Sequence, residues 1–456
     1  MAISLSKRRI VACNLEALGG TPNVIDRGIF RAPNVAADAI PTIREAKITR
    51  FEPVKVERET LRLSLTGMPD IYPGVAIAEL TFVAEIGGVP SNAAGSATLT
   101  SPVWTDLIRA CGYVEVSNQG SPTSAPTGAA VASSPRIYTF ANQTGGTGSA
   151  LRHGETVSVA YATTGGPIAG VMVGDTFADD DLLCVQETSG TAGTGAITIT
   201  GATSGRATSG TAPTRDTTVV VALKLQSDLN LMETISLEAY LDGKRLRLKG
   251  CMGNFEIRMV HGDVLHAEFK FTGIVESYGD VAMPTNANES HYLPPTFLGK
   301  DIRFREIDGS KTYGKDTGSS VNVGALNNVR YSSGNNIVMR ENSLSSSGYS
   351  FAYITDRKPG GSFNPDEVSE SEFSFINAFI NGRSIRGKAL FGSNSTGDGN
   401  SIDIITPGMV FSGMADGDRD GINIFDASFD LTGGDYDSSA TTEIPGTDNE
   451  ITLIYR

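Results

Sequence analysis

Two stretches of strict apolar–polar alternation organise this chain. Leu265, Ala267, Phe269 and Phe271 alternate with His266, Glu268, Lys270 and Thr272; Phe425, Ala427, Phe429 and Leu431 alternate with Asp426, Ser428, Asp430 and Thr432. A period of two is that of a strand with one buried face. Both stretches fit A-x-F-x-[F/L]-T-G and close on Thr272-Gly273 and Thr432-Gly433, where glycine is expected to let the backbone leave the sheet. Each follows another alternating run, Asn254 to Val260 and Met409 to Met414. The joining turn is short at His261-Gly262-Asp263 and longer at Ala415 to Gly421. Helix, strands, hairpin and closing strand recur in order, which predicts two copies of one β-rich domain.

The remaining pattern fills in around these copies. Residues 1–50, broken by Gly19-Gly20, Pro22, Pro33 and Pro41, read as an extended arm with one strand, of the kind that completes a neighbouring subunit's sheet. Strands are expected at 51–66, where Leu61, Leu63 and Leu65 alternate with polar residues, and at 75–86. Turns are expected at Gly67 to Asp70 and Tyr72 to Gly74. Pro102 opens a helix over Val103 to Cys111 with Trp104, Leu107, Ile108 and Cys111 on one stripe and Gly112 as its cap. Trp104, the one tryptophan, is read as a core anchor. Residues 51–112 and 217–283 then make the first domain. Strands fall at 217–225, 234–241, 244–251, 254–260 and 265–272, and Asp242-Gly243 is a hairpin turn. Between the two parts, 113–216 is rich in Gly, Ser, Thr and Ala but alternates at 156–162 and 197–200, a small inserted β module. A linker at 284–324 leads to the second domain at 325–456. Its helix is expected over Asp366 to Ile380 after Asn364-Pro365, with Phe373, Ile376, Phe379 and Ile380 as the apolar stripe, and Ile451 to Tyr455 is the last strand.

Composition agrees with many short strands: 456 residues, 52 glycines, 39% hydrophobic and 19% charged. The formal charge of −14 argues against a surface that grips nucleic acid, though not against a partner that DNA merely passes. Cys13, Cys111, Cys184 and Cys251 are scattered without a CxxC pair, the pattern of reduced buried thiols. Lys7 to Arg9 precede too short an apolar run for a signal peptide, and no run is long enough to span a membrane as a helix.

Candidate chemistry is thin. Asp416-Gly417-Asp418-Arg419-Asp420-Gly421 starts like a calcium loop, but the twelfth position is Ala427 instead of a bidentate Glu, so a solvated hairpin turn is the better reading. His153, His261, His266 and His291 lack metal-ligand spacing. There is no G-x-S-x-G elbow and no GxGxxG between strand and helix. Arg357-Lys358 reads as a solvated basic pair in a Pro-Gly turn. No active site, metal or cofactor is expected.

The stretches Pro102 to Gly112, Asp242-Gly243-Lys244 with Gly253-Asn254-Phe255, and Ala267 to Gly273 make one set. Arg357 to Pro365, Gly417 to Gly421 and Asp448-Asn449-Glu450-Ile451 make a second. Together they resemble the tail tube (major tail) proteins of tailed bacteriophages, over roughly 50–112, 217–283 and 325–456. The resemblance implies tandem β-sandwich domains with a flanking helix, subunits that join inner sheets into a β-barrel ring, and rings that stack into a hollow tube through which DNA is ejected. It implies a virion location after assembly in the host cytoplasm, with tail terminator, tape measure and distal tail proteins as neighbours. Two domains per chain suggest a homotrimer with pseudo-sixfold symmetry, the rival being a hexamer with the second domain outside. The insertion departs from the simplest members and is expected on the exterior. Glu256, Glu268, Asp426 and Asp430, on polar strand faces, are the lumen-facing candidates. A tail terminator, baseplate or type VI-like tube ring is the alternative. An adhesive or carbohydrate-binding β protein lacks the aromatic platforms, and a hydrolase lacks a nominee residue.

Overall fold

A computed structural model describes residues 9–16, 27–40, 42, 46–57, 71–87, 102–117, 221–226, 229, 231–260, 263–284, 302–306, 312–313, 326–345, 348–369, 375–382, 384–392, 401–432 and 450–455, and the module strands given below. Antiparallel strands dominate it. The first half contains β1 (Arg9–Glu16), α1 (Val35–Asp38), β2 (Ala39–Ile40), β3 (Lys47–Glu57), β4 (Ile71–Glu85), α2 (Val103–Arg109) and β5 (Tyr113–Ser117). The module follows with β6 (Ile137–Ala141), β7 (Thr156–Tyr161), β8 (Ile168–Asp175), β9 (Leu183–Ser189), β10 (Ile197–Gly201) and β11 (Thr214–Arg215). The chain returns through β12 (Val221–Leu225), β13 (Thr234–Leu241), β14 (Lys244–Val260) and β15 (His266–Asp280). Beyond lie β16 (Ile302–Glu306), β17 (Thr312–Tyr313), β18 (Leu326–Ser332), β19 (Asn335–Glu341), β20 (Tyr349–Arg357) and β21 (Gly360–Pro365). The chain ends with α3 (Phe375–Ile380), β22 (Ser384–Gly392), β23 (Ser401–Arg419), β24 (Ile422–Thr432) and β25 (Thr452–Tyr455).

Strand pairing recurs between the halves. In the first, the order is β3–β4–β15–β14–β13–β1; in the second it is β18–β21–β24–β23–β22–β16. The register recurs as well. Phe269 stands opposite Phe82 on β4 and Phe255 on β14, while Phe429 stands opposite Gly361 on β21 and Phe411 on β23. Each alternating run buries its aromatic side: Phe269 and Phe271 are fully enclosed and stack on Phe82, and Phe429 meets Tyr331 and Phe363 edge-on. The module is a separate sheet in the order β10-β7-β8-β9-β6-β11.

Several expectations change. Within the arm, β1 pairs along its whole length with β13 of the same chain, because its alternating face completes the same core. Tyr113–Ser117 and Val221–Leu225 pair with each other inside the main sheet, so the insertion proper begins after 117. The span 244–260 is one strand that bends at a bulge near Gly250. Tyr72 to Gly74 are strand, opposite Lys55 and Val56, and the linker contributes β16 to the second half. Gly273 does not release the chain. β15 runs on to Asp280, and Gly273 is needed because a Cβ there would lie 2.2 Å from the Cys251 sulfur. The turn expected over Ala415 to Gly421 shrinks to Asp420-Gly421 (φ 54° and 85°), matching Asp242-Gly243 (φ 45° and 90°) as a two-residue hairpin turn.

The helices differ. In α2, Trp104, Leu107 and Ile108 are buried as expected, and the indole N–H donates to the Gly87 carbonyl at 3.0 Å. Of the helix expected over Asp366 to Ile380, the described helical part is α3; Asp366 and Glu367 lie outside it, hydrogen-bonded to β24 through Ile424 and Asn423. Its anchor is Phe375, packed on Phe363, Phe411 and Phe425, whereas Ile376 and Phe379 are 44% and 37% exposed. Phe373 lies outside the described residues, as do Leu61, Leu63 and Leu65.

One buried carboxylate ties the first half together. Glu16, with no exposed surface, accepts hydrogen bonds from Gly28 N (2.7 Å), Gly250 N (2.8 Å), Thr234 Oγ1 (2.6 Å) and Ser236 Oγ (2.7 Å). Glu16→Ala should therefore cost about 3 kcal/mol or more in a denaturant melt, since several buried donors lose their acceptor. Asp106 on α2 is raised to about 7, chiefly by burial, with Arg109 opposing and Glu115 and Glu233 adding; 31% of the side chain still meets solvent, which tempers the effect. The folded protein then holds a proton that the unfolded chain releases, so stability should fall as pH rises from about 4 to about 7. Asp106→Asn should flatten that slope in melting temperatures measured across the window.

Candidate assembly surface

The sequence-repeat strands form part of one ribbon. β3, β4, β15, β14, β18, β21, β24 and β23 are hydrogen-bonded side by side. The two halves meet at its middle, where Glu256, Ile257, Arg258, Met259 and Val260 of β14 face Ser332, Tyr331, Arg330, Val329 and Asn328 of β18.

Asn254 secures one end of this seam. Its Oδ1 accepts from Ser333 Oγ (3.0 Å) and Asn335 N (2.5 Å), and its Nδ2 donates to the Asn335 carbonyl (2.8 Å). The Asn335 amide in turn donates to the carbonyls of Cys111 (2.9 Å) and Gly253 (2.8 Å). Gly334 turns the chain between β18 and β19 at φ +57°, where a Cβ would overlap the Lys358 carbonyl. Tyr331 is wholly enclosed at the seam, and burial raises its hydroxyl well above its ordinary pKa, Thr406 opposing.

The β19–β20 hairpin continues past the seam and lies over the first half. Ala352 and Ile354 pack with Met232 and Met252, and the Phe351 ring is capped by the guanidiniums of Arg27 and Arg340. Arg357 is not a solvated basic residue. Its guanidinium lies 5.0 Å from the Tyr113 ring centre, donates to Tyr113 Oη at 3.1 Å and stands 3.5 Å from Glu450. That contact brings together three stretches far apart in sequence. Burial raises the Tyr113 hydroxyl and, nearby, the Cys111 thiol, with Arg357 opposing both shifts. Lys358 alone of the pair is exposed. A second junction joins the halves where β25 pairs with β12.

The four acidic candidates fall on the polar side of the ribbon in two settings. Glu256 and Glu268 are directly opposed across β14 and β15, and Arg258 bridges them at 2.8 and 3.0 Å. Asp426 is exposed and lines a shallow depression with Arg330, Ser362, Asn364 and Ser428, and Asp430 lies 3.8 Å from Lys358. Cations that the sequence reading passed over share this side: Lys270 binds Glu79 at 3.1 Å, and Arg50 binds it at 3.7 Å. Strand alternation could have found them, since Lys270 is two residues from Glu268. The side is thus polar and mixed in charge.

The remaining chemical candidates do not converge. Asp416 and Asp418 lie in β23, and Asp418 Oδ1 accepts from Gly421 N at 3.0 Å, closing the turn. Among the described residues no group of three or more His, Cys, Asp or Glu could hold a metal ion. His266 is buried with Nδ1 3.0 Å from the Val264 carbonyl; His153, His261 and His291 lie outside the described residues. No protein-family model matches the chain, and no curated protein is significantly similar to it.

Arg258→Ala would leave Glu256 and Glu268 facing each other without a cation. The melting temperature should drop at pH 7, by the equivalent of about 1 kcal/mol for this partly exposed cluster. At high ionic strength, where exposed ion pairs are screened, the drop should be smaller.

Proposed function

We propose that the chain is a structural protein that assembles as stacked rings into the hollow tail tube of a bacteriophage, with two tandem sandwich-like domains per chain. The ribbon carries this reading. Its central strands keep one side apolar and packed and the other polar and solvated. Among the described residues neither end of it is paired: β3 has β4 alone as neighbour, and β23 beyond Val410 has β24 alone. A sheet left open at both ends is prone to add further strands, and closure into a barrel removes both edges.

Size favours three copies. With strands about 4.8 Å apart and tilted by about 40°, three ribbons close at a backbone diameter of about 48 Å and two at about 32 Å. Lining side chains take about 5 Å on each side, leaving a bore of roughly 38 or 22 Å. A duplex about 20 Å across passes the first freely, whereas the second leaves it about 1 Å on each side, less than one layer of water. The module, attached through β5 and β12 on the far layer, would then sit outside the bore.

Negative-stain images of the purified protein should show hollow tubes, and mass measurement of a single ring should give three chains. Closed rings that never stack would point instead to a terminator or baseplate ring. A protein that stays monomeric at high concentration would overturn the reading.

A further inference from the structure

The contact between the two halves uses surfaces that both halves own, and each is used once. On the accepting side, the first half offers β14 beyond Cys251, where β13 has ended, and the C-terminal end of α2. A Cβ on Gly112, which caps α2 at φ +89°, would lie 3.0 Å from the Ile354 side chain of the hairpin. The second half repeats both features without an occupant. β22 ends opposite Val410, and the outer edge of β23 from Gly413 to Asp418 meets no strand among the described residues. Gly382 follows α3 at φ +59° much as Gly112 follows α2, yet a Cβ there would meet nothing within 4 Å among the described residues. Beside it Ile376, Phe379 and Ile380 are 44%, 37% and 74% exposed.

The donating side is likewise duplicated. β18 and β21, extended by the β19–β20 hairpin, occupy, relative to β24, the place that β3 and β4 occupy relative to β15. Ser332 faces Gly360, which faces Asp430; Lys47 faces Thr81, which faces Lys270. Lys47 is exposed, and Phe51 further along β3 is 47% exposed.

We propose that the second half of one copy receives the β3–β4 hairpin of a second copy, as the first half receives the hairpin of the second. Transposing the Glu256–Ser332 pair puts Gly413 opposite Lys47 of the incoming chain, with the hairpin's far end covering Ile376, Phe379 and Ile380. An apolar helix end beside a bare strand edge suits a paired hairpin as partner, because one element can cover both. The proposal rests on the tube reading for closure of the ring, not for the contact itself.

The test uses the full chain carrying Lys47→Cys and Gly413→Cys together. Among the described residues the only neighbour of a Cβ at 413 is the hydroxyl of exposed Ser428, which can turn aside. After mild oxidation, non-reducing electrophoresis should show covalent dimers and trimers and nothing larger. The parent and each single variant should show none, and the two single variants mixed should give dimers alone. Ile380→Asp should leave the melting temperature unchanged while raising the concentration needed for assembly by about tenfold or more. Tubes without cross-links, assembled equally well by Ile380→Asp, would overturn the proposed contact and leave the tube reading standing. Cross-linked trimers that never form tubes would support the contact and overturn the tube. Absence of both would overturn both.

Discussion

The constraint on which the rest of this structure depends is the open edge of a β-sheet. A strand with neighbours on one side only presents a row of backbone donors and acceptors that must find partners in water or in protein. At the middle of the ribbon the chain resolves this internally by setting β18 against β14. The solution is not generic strand adhesion. Asn254, Ser333 and Asn335 satisfy one another and three backbone carbonyls within a few ångströms, and Tyr331 is sealed behind them. A buried polar network of this kind favours one register, because a slip of one residue would turn every side chain to the opposite face.

The halves share pairing order and register but are trimmed differently where their neighbours differ. Where the seam is filled, the helix-end position is alanine, Ala110, with no exposed surface; at the matching place two residues before Gly382 stands Ile380, the most exposed hydrophobic residue of α3. The β5–β12 hairpin, which has no counterpart between α3 and β22, gives β25 a partner and carries the module clear of the ribbon. The β15 continuation to Asp280 has its counterpart split, since β24 ends at Thr432 and β25 lies along β23 at Ile402–Ile405 instead.

Much of this was legible because period-two alternation reports directly which side of a strand is buried. Thr234–Leu241 has the bounds expected of it, and Phe269 and Phe429 occupy equivalent registers. Alternation does not report partners. Nothing in Arg9 to Glu16 says that it pairs with β13 of its own chain, and a carboxylate at position 16 reads as exposed until four donors converge on it. The helix errors share a cause. A stripe at helical spacing names residues on one side, but whether that side is covered depends on what packs there; Ile376 and Phe379 share a stripe that α3 turns outward, and Phe375 does the packing. Pro365 suggested a helix start, yet it closes β21 opposite Leu326.

Charge shows the same gap between whole and part. The chain carries −14, and a repulsive wall for DNA would follow if that excess lay on the ribbon's polar side. It does not: Glu256 and Glu268 share Arg258, Glu79 is held by Lys270 and Arg50, and Lys358 stands near Asp430. Paired ions present little net field beyond a Debye length of about 8 Å at physiological salt. A bore lined this way would resist adhesion by having its cations already engaged by carboxylates, so that phosphates would have to displace a local partner to bind. Weak attraction, rather than strong repulsion, is also the more useful property for a wall that a highly charged polymer must slide past, because it does not oppose entry.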